Sequence, residues 1–249
     1  MNTKLPKNQQ FNKHYTAHCK HLKLAGYQPK TIEAYARALR RIGNYFNCKL
    51  YNLTHNQLLD YFHDLLESRS WSAVKLDLYG LQFFYTHVLK KPWDHIPLVK
   101  QPRVTRIPDI LTTKQINQLL LATKVIDYRA FFFTVYSMGL RLSEGINLKV
   151  GDIDADHMRV HIRDSKGNKD RFVPMPHKTL HVLREFWQTR KHPDFIFPNR
   201  KRGVRNAHLV DRPLERGGIQ VAMKKVVDQM GLKKRSHATL CATATLPTC

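Results

Sequence analysis

From position 11 to position 90, apolar residues return every three or four places, the spacing of helices with one buried face. Phe11 to Leu24 reads as a polar helix, stopped by Gly26 and Pro29. A second begins at Thr31, with Ile32, Tyr35, Ala36, Leu39 and Ile42 on one face and Arg37, Arg40 and Arg41 on the other. Thr54 followed by Gln57 has the form of a capping box and opens a third helix through Leu58, Leu59, Phe62, Leu65 and Leu66. Ser72 starts a fourth, turning Val74, Leu78, Leu81, Phe84, Tyr85 and Val88 inward. The pattern predicts a small helical bundle with basic outer faces. His14, His18 and His21 share helical spacing, but without an acidic partner they read as a solvated basic face rather than a metal site.

Pro92, Pro97, Pro102 and Pro108 cannot sit inside one helix, so this stretch reads as a linker, with Lys100, Arg103 and Arg106 placed to lie along a ligand. A second body follows. Thr112 or Thr113 caps a helix carrying Ile116, Leu119 and Leu120, and 130–138 is apolar enough for a buried helix. At His157 the period changes to two: Met158, Val160 and Ile162 alternate with polar residues, which predicts a strand. Residues 165–168 form a turn and 171–174 return as a second strand. Helical spacing resumes over 177–191 and 219–230, the last closed by Gly231, with a basic loop at 200–205. The expected fold is mainly α with a small β-hairpin or sheet: a helical N-terminal bundle and an α+β domain.

Charge changes the picture from fold to partner. The 249 residues hold 42 Lys+Arg against 19 Asp+Glu, a net charge of +23. Residues 1–105 contribute +10 and residues 106–249 contribute +13, so both bodies are basic. With 42% hydrophobic residues a wholly disordered basic tail is excluded, and a folded protein of this charge implies a polyanionic partner. The four Cys show no CxxC spacing, against a disulfide framework or a zinc ribbon. No apolar run reaches the roughly 18–20 residues that span a bilayer, and the N-terminus lacks the apolar core of a secretory signal. A cytoplasmic nucleic-acid-binding protein with no membrane partner is expected.

Two stretches carry chemistry. Residues 137–154 contain Gly139-Leu140-Arg141-Leu142-Ser143-Glu144, then Leu148 and Asp152-Ile153. Residues 164–175 read Asp-Ser-Lys-Gly-Asn-Lys-Asp-Arg-Phe-Val-Pro-Met. In this order and separation they resemble the first box and the lysine hairpin of the tyrosine recombinase (phage-type integrase) family, and the N-terminal bundle resembles its SAM-like core-binding domain. The resemblance implies a core-binding domain over 1–95, a linker over 96–108 and an incomplete catalytic domain over 109–235, clamped in a C shape on double-stranded DNA in a bacterial cytoplasm, at the nucleoid. In that family a tyrosine attacks a backbone phosphate, forming a 3′-phosphotyrosyl link and releasing a 5′-hydroxyl. Arg141 matches an arginine that meets the growing charge on the phosphate bidentately, so no metal or other cofactor is needed. Glu144 matches a residue that supports that arginine, and Lys166 the general acid for the leaving oxygen. Lys201, Arg202 and Arg205, with Arg37, Arg40, Arg41 and the linker cations, are the expected DNA-backbone contacts. Other recombinase protomers are the second class of partner.

The family pattern continues with His-x-x-Arg and a C-terminal tyrosine nucleophile. Here the last tyrosine is Tyr136, and His237 is followed three places on by Leu240. The segment 236–249 is small and low in complexity. Read one base out of register from the third base of codon 238, its codons permit His-Ser-Leu-Arg-His-Ser-Tyr-Ala-Thr-His-Leu, which resembles the missing box. The expectation is a recombinase reading frame interrupted near codons 236–238, whose product binds DNA and does not cut it. The alternative is a non-catalytic accessory or competitor protein on recombinase sites. An RNA-binding reading is weaker, because no RNP or KH-type motif is visible.

Overall fold

The computed structural model describes residues 8–93, 111–163 and 170–231. The chain divides into two compact units, one up to Val104 and one from Thr105. The linker cations Lys100, Arg103 and Arg106, the turn that bears Lys166, and the segment 236–249 lie outside the described residues.

The first unit is helical. Helix α1 (Gln9–Leu24) starts where the Asn8 side chain accepts the Phe11 N–H at 2.9 Å, and it buries Phe11, His18 and Leu22. Helix α2 (Pro29–Tyr45) begins two residues before Thr31, because Pro29 costs no hydrogen bond at the first helical position and its fixed φ suits the helix. Helix α3 (His55–Ser68) carries the predicted capping box: Gln57 N–H donates to Thr54 Oγ1 at 3.3 Å and Thr54 N–H to Gln57 Oε1 at 2.9 Å. Helix α4 (Trp71–Phe84) runs on into a π-helical turn, Tyr85–Leu89. Leu39, Ile42, Phe62, Leu81 and Phe84 are central to the core. Gly43 on α2 lets the Phe11 ring seat, since a Cβ there would stand 2.4 Å from Phe11 Cε2.

His18 corrects the solvated-face reading of the three histidines. His21 is exposed, but His18 is fully buried, edge-on to Phe83 and Phe84, with neither ring nitrogen hydrogen-bonded among the described residues. Burial pushes its pKa down to about 4, because the low-dielectric core penalises the imidazolium. Helical spacing had placed His18 in line with His14 and His21, yet it is also seven residues from Phe11 and four from Leu22, and that stripe faces the core.

In the second unit, α5 (Thr113–Ala122) is capped by a Thr112–Gln115 box. Helix α6 (Ile126–Ser137) begins four residues before the apolar run, since Asp127 in its first turn is bound internally: Arg190 donates to Asp127 Oδ1 through Nε at 3.2 Å and Nη2 at 3.0 Å. Short α7 (Leu142–Ile146) leads to a sheet of β1 (Ile153–Asp154), β2 (Arg159–Ile162) and β3 (Arg171–Pro174), antiparallel in the order β1-β2-β3. The register pairs Val160 with Val173 and Ile162 with Arg171. Strand β1, too short to show a period, adds a third strand to the predicted hairpin. Helices α8 (His177–Arg190) and α9 (Arg216–Gln229) complete the unit around Phe131, Leu140, Leu148, Leu183 and Phe197.

Candidate functional site: a carboxylate-braced arginine beside the hairpin

The Gly-Leu-Arg-Leu-Ser-Glu stretch is a turn between α6 and α7, and each residue in it has a local reason. Gly139 adopts φ +61°, the left-handed position that ends a helix most cheaply with glycine, while Leu140 N–H reaches back to the Val135 carbonyl at 3.0 Å. Leu140 then plugs into the core, fully buried. Arg141 emerges as the residue preceding α7, where its guanidinium cannot accept a capping hydrogen bond. Glu144 supplies the cap instead: its Oε2 accepts the Arg141 backbone N–H at 2.8 Å. Beneath it Gly145 packs against Val135 and Phe131 so closely that a Cβ would stand 2.6 Å from Val135 Cγ2.

The Glu144 side chain is 4% exposed, and two guanidinium groups hold its charge. Arg141 Nη1 donates to Oε1 at 2.7 Å. Arg171, from β3, donates through Nη1 to Oε1 at 2.7 Å and through Nη2 to Oε2 at 2.9 Å. Donating to Glu144 raises the Arg171 pKa, because these hydrogen bonds stabilise its charged form. The Arg141 side chain stays 50% exposed while its Nη1 rests on the buried carboxylate.

Two further carboxylates fasten the hairpin. Asp152, buried, accepts Arg163 Nε at 2.6 Å and the Lys149 N–H at 3.2 Å. Asp154 accepts Arg159 Nε at 2.9 Å and hydrogen bonds from His157, which lower its pKa to about 2 by stabilising the carboxylate, the His157 side chain first. Strand β2 is therefore tied near both its ends, through Arg159 and Arg163, to the segment that follows α7.

The remaining candidates divide by environment. Arg37 is exposed and paired with Glu33 at 2.6 Å, while Arg40 donates to Tyr15 Oη at 2.6 Å and lies over that ring. Arg41 turns inward to Asp77, so it does not share the solvent face with Arg37. Lys201, Arg202 and Arg205 are exposed on a loop that opens with a 3-10 turn, Arg200–Arg202, and Lys201 Nζ lies 3.2 Å from Glu215. The structure thus brings Arg141 and Glu144 together. Sequence reasoning missed Arg171. Its signal was alternation: Arg171 and Val173 share the inner face of β3, and an arginine on an inner face needs a carboxylate. Among the described residues no cluster of three or more His, Cys, Asp or Glu could hold a metal, and no helix is long and apolar enough to cross a membrane.

Residues 109–241 match the phage integrase family, and residues 15–95 match the phage integrase N-terminal SAM-like domain. A Sinorhizobium fredii protein described as an integrase/recombinase is 31% identical over 166 residues, which is 66% of this chain and 51% of that protein. The chain thus spans about half the length of that relative. A tyrosine recombinase of Thermosipho africanus is 27% identical over 225 residues, 84% of this chain and 78% of its own. The crystal structure of a lambda integrase dimer bound to a core site superposes with a TM-score of 0.71 at 13% identity, covering 93% of this chain and 83% of that one, a likeness of fold.

Proposed function

Because the chain belongs to the phage integrase family, whose relatives include tyrosine recombinases, we propose that it binds duplex DNA in site-specific recombination or integration, in the bacterial cytoplasm. The observation that carries this reading is the Arg141–Glu144–Arg171 cluster. A guanidinium that is half in solvent and oriented by a buried carboxylate is prepared to meet one phosphate bidentately. Lys166, on the segment between β2 and β3, would act as general acid to the leaving oxygen. Arg37, Lys201, Arg202 and Arg205 would contact the backbone without reading sequence, as would Lys100, Arg103 and Arg106 in the linker. The domain division of the family, core-binding over 1–95 and catalytic over 109–235, is part of the same proposal, as are other recombinase protomers as partners.

The 249 residues carry no tyrosine after Tyr136, and Tyr136 packs half-buried against the core. We infer that this polypeptide holds DNA without forming a phosphotyrosyl link. That favours, as a second reading, a factor that occupies recombinase sites without cutting them. Selection of bound duplexes from a random pool by gel shift tests the proposal: enrichment of a common sequence with steep salt dependence is expected, and failure to retard any duplex at low salt contradicts it.

A further inference from the structure

The three carboxylates described above are not equivalent. Asp152 and Asp154 hold β2 through Arg163 and Arg159, whereas Glu144 holds β3 through Arg171 and holds Arg141 as well. Arg171 engages both Glu144 oxygens, and one of these also takes the Arg141 guanidinium. Arg141 itself reaches both oxygens, through its backbone N–H at Oε2 and Nη1 at Oε1, so without Arg171 the pair would be held only within its own short turn. The two-pronged guanidinium of Arg171 ties the carboxylate plane to β3.

We propose that Arg171 is a positioning residue: by clamping both oxygens of Glu144 it aims the Arg141 guanidinium at a single phosphate and locks that aim to the register of β2 and β3. This rests on the reading of Arg141 as a phosphate-binding group. Arg171 lies on the inner face of β3, opposite Ile162 and beside Val173, where a long cation is costly without a fixed partner. Its side chain is 35% exposed against 50% for Arg141, and the two guanidinium groups share Glu144 Oε1, so Arg171 would act on Arg141 through Glu144. Lysine at 171 keeps the charge but offers a point donor in place of the fork.

The test uses the full chain labelled with nitrogen-15. The Arg141 Nε–Hε resonance, identified by its loss in Arg141→Lys, is followed during titration with inorganic phosphate. Binding to a short duplex and thermal melting are measured in parallel. Arg171→Met is expected to raise the half-saturating phosphate concentration at Arg141 about tenfold. Arg171→Lys should fall between Met and wild type. Duplex affinity should drop less than about threefold, since most phosphate contacts lie elsewhere. An unchanged phosphate response at Arg141 in Arg171→Met overturns the proposal and leaves Arg171 a structural brace. If that variant does not fold, an unchanged response in Arg171→Lys overturns it instead. A wild-type Arg141 that ignores phosphate overturns the phosphate-binding reading itself, and the positioning role with it.

Discussion

Arg41 donates through Nη1 to both oxygens of Asp77, at 2.7 and 2.8 Å, inside the helical unit. Tyr61 Oη donates to the same buried carboxylate at 2.7 Å, so α2, α3 and α4 meet on one charge. Arg41 is thus a brace of the bundle, although it neighbours Arg37, which is proposed to touch DNA. Arg41→Met should destabilise this unit by about 3 kcal/mol, because it leaves Asp77 buried without its cation. Arg37→Gln should change stability by less than about 0.5 kcal/mol, its pair with Glu33 being exposed. Denaturant melts of both variants check the contrast; equal losses contradict it.

His18 makes the same unit sensitive to acid. Its folded pKa, about 4, lies below the usual histidine value of 6.5. Between those values the unfolded chain binds more protons, so stability rises with pH there. The contribution is complete above pH 6.5 and is lost as pH falls toward 4, amounting to about 3 kcal/mol. In His18→Leu, unfolding free energy measured from pH 7 to pH 4 should fall less steeply than in wild type. Parallel curves would remove His18 as the cause.

The turn that presents Arg141 depends on Gly145 as closely as on the charged residues. Gly145→Ala places a methyl 2.6 Å from Val135 Cγ2 and 3.1 Å from Phe131 Cε2. The cost of such overpacking is about 1–3 kcal/mol. Thermal melting should register it in the second unit, and an unchanged melting temperature would mean that α6 yields more readily than its packing suggests.

The basic loop should act as charge alone. Replacing Arg202 and Arg205 by Ala should weaken binding to all duplexes alike and reduce the slope of log affinity against log salt by about two, one per lost phosphate contact. Lys201→Ala should do less, since Lys201 is already paired with Glu215. A slope unaltered by the double substitution would place the loop away from DNA.

Much of the fold was legible because it is local. Thr54 with Gln57 marks a helix start by hydrogen bonds within four residues, and the alternation of Val160 and Ile162 marks a strand over its own length. What stayed illegible is what the tertiary structure decides. Arg41 and Arg37 sit four residues apart on one helix, yet a carboxylate on α4 turns one inward. His18 keeps the spacing of His14 and His21 while the rings of Phe83 and Phe84 enclose it. The contact between Glu144 and Arg141 is local as well, both lying in one short motif. The second partner of Glu144, Arg171, is 27 residues away and meets it through the register of the sheet.

Incubation with a nicked suicide duplex that carries a bound sequence, followed by denaturing electrophoresis, tests the central claim most directly. Under the proposed function the native gel should show a retarded, salt-sensitive complex, and the denaturing gel no covalent species. A phosphotyrosyl adduct on the denaturing gel would contradict the account.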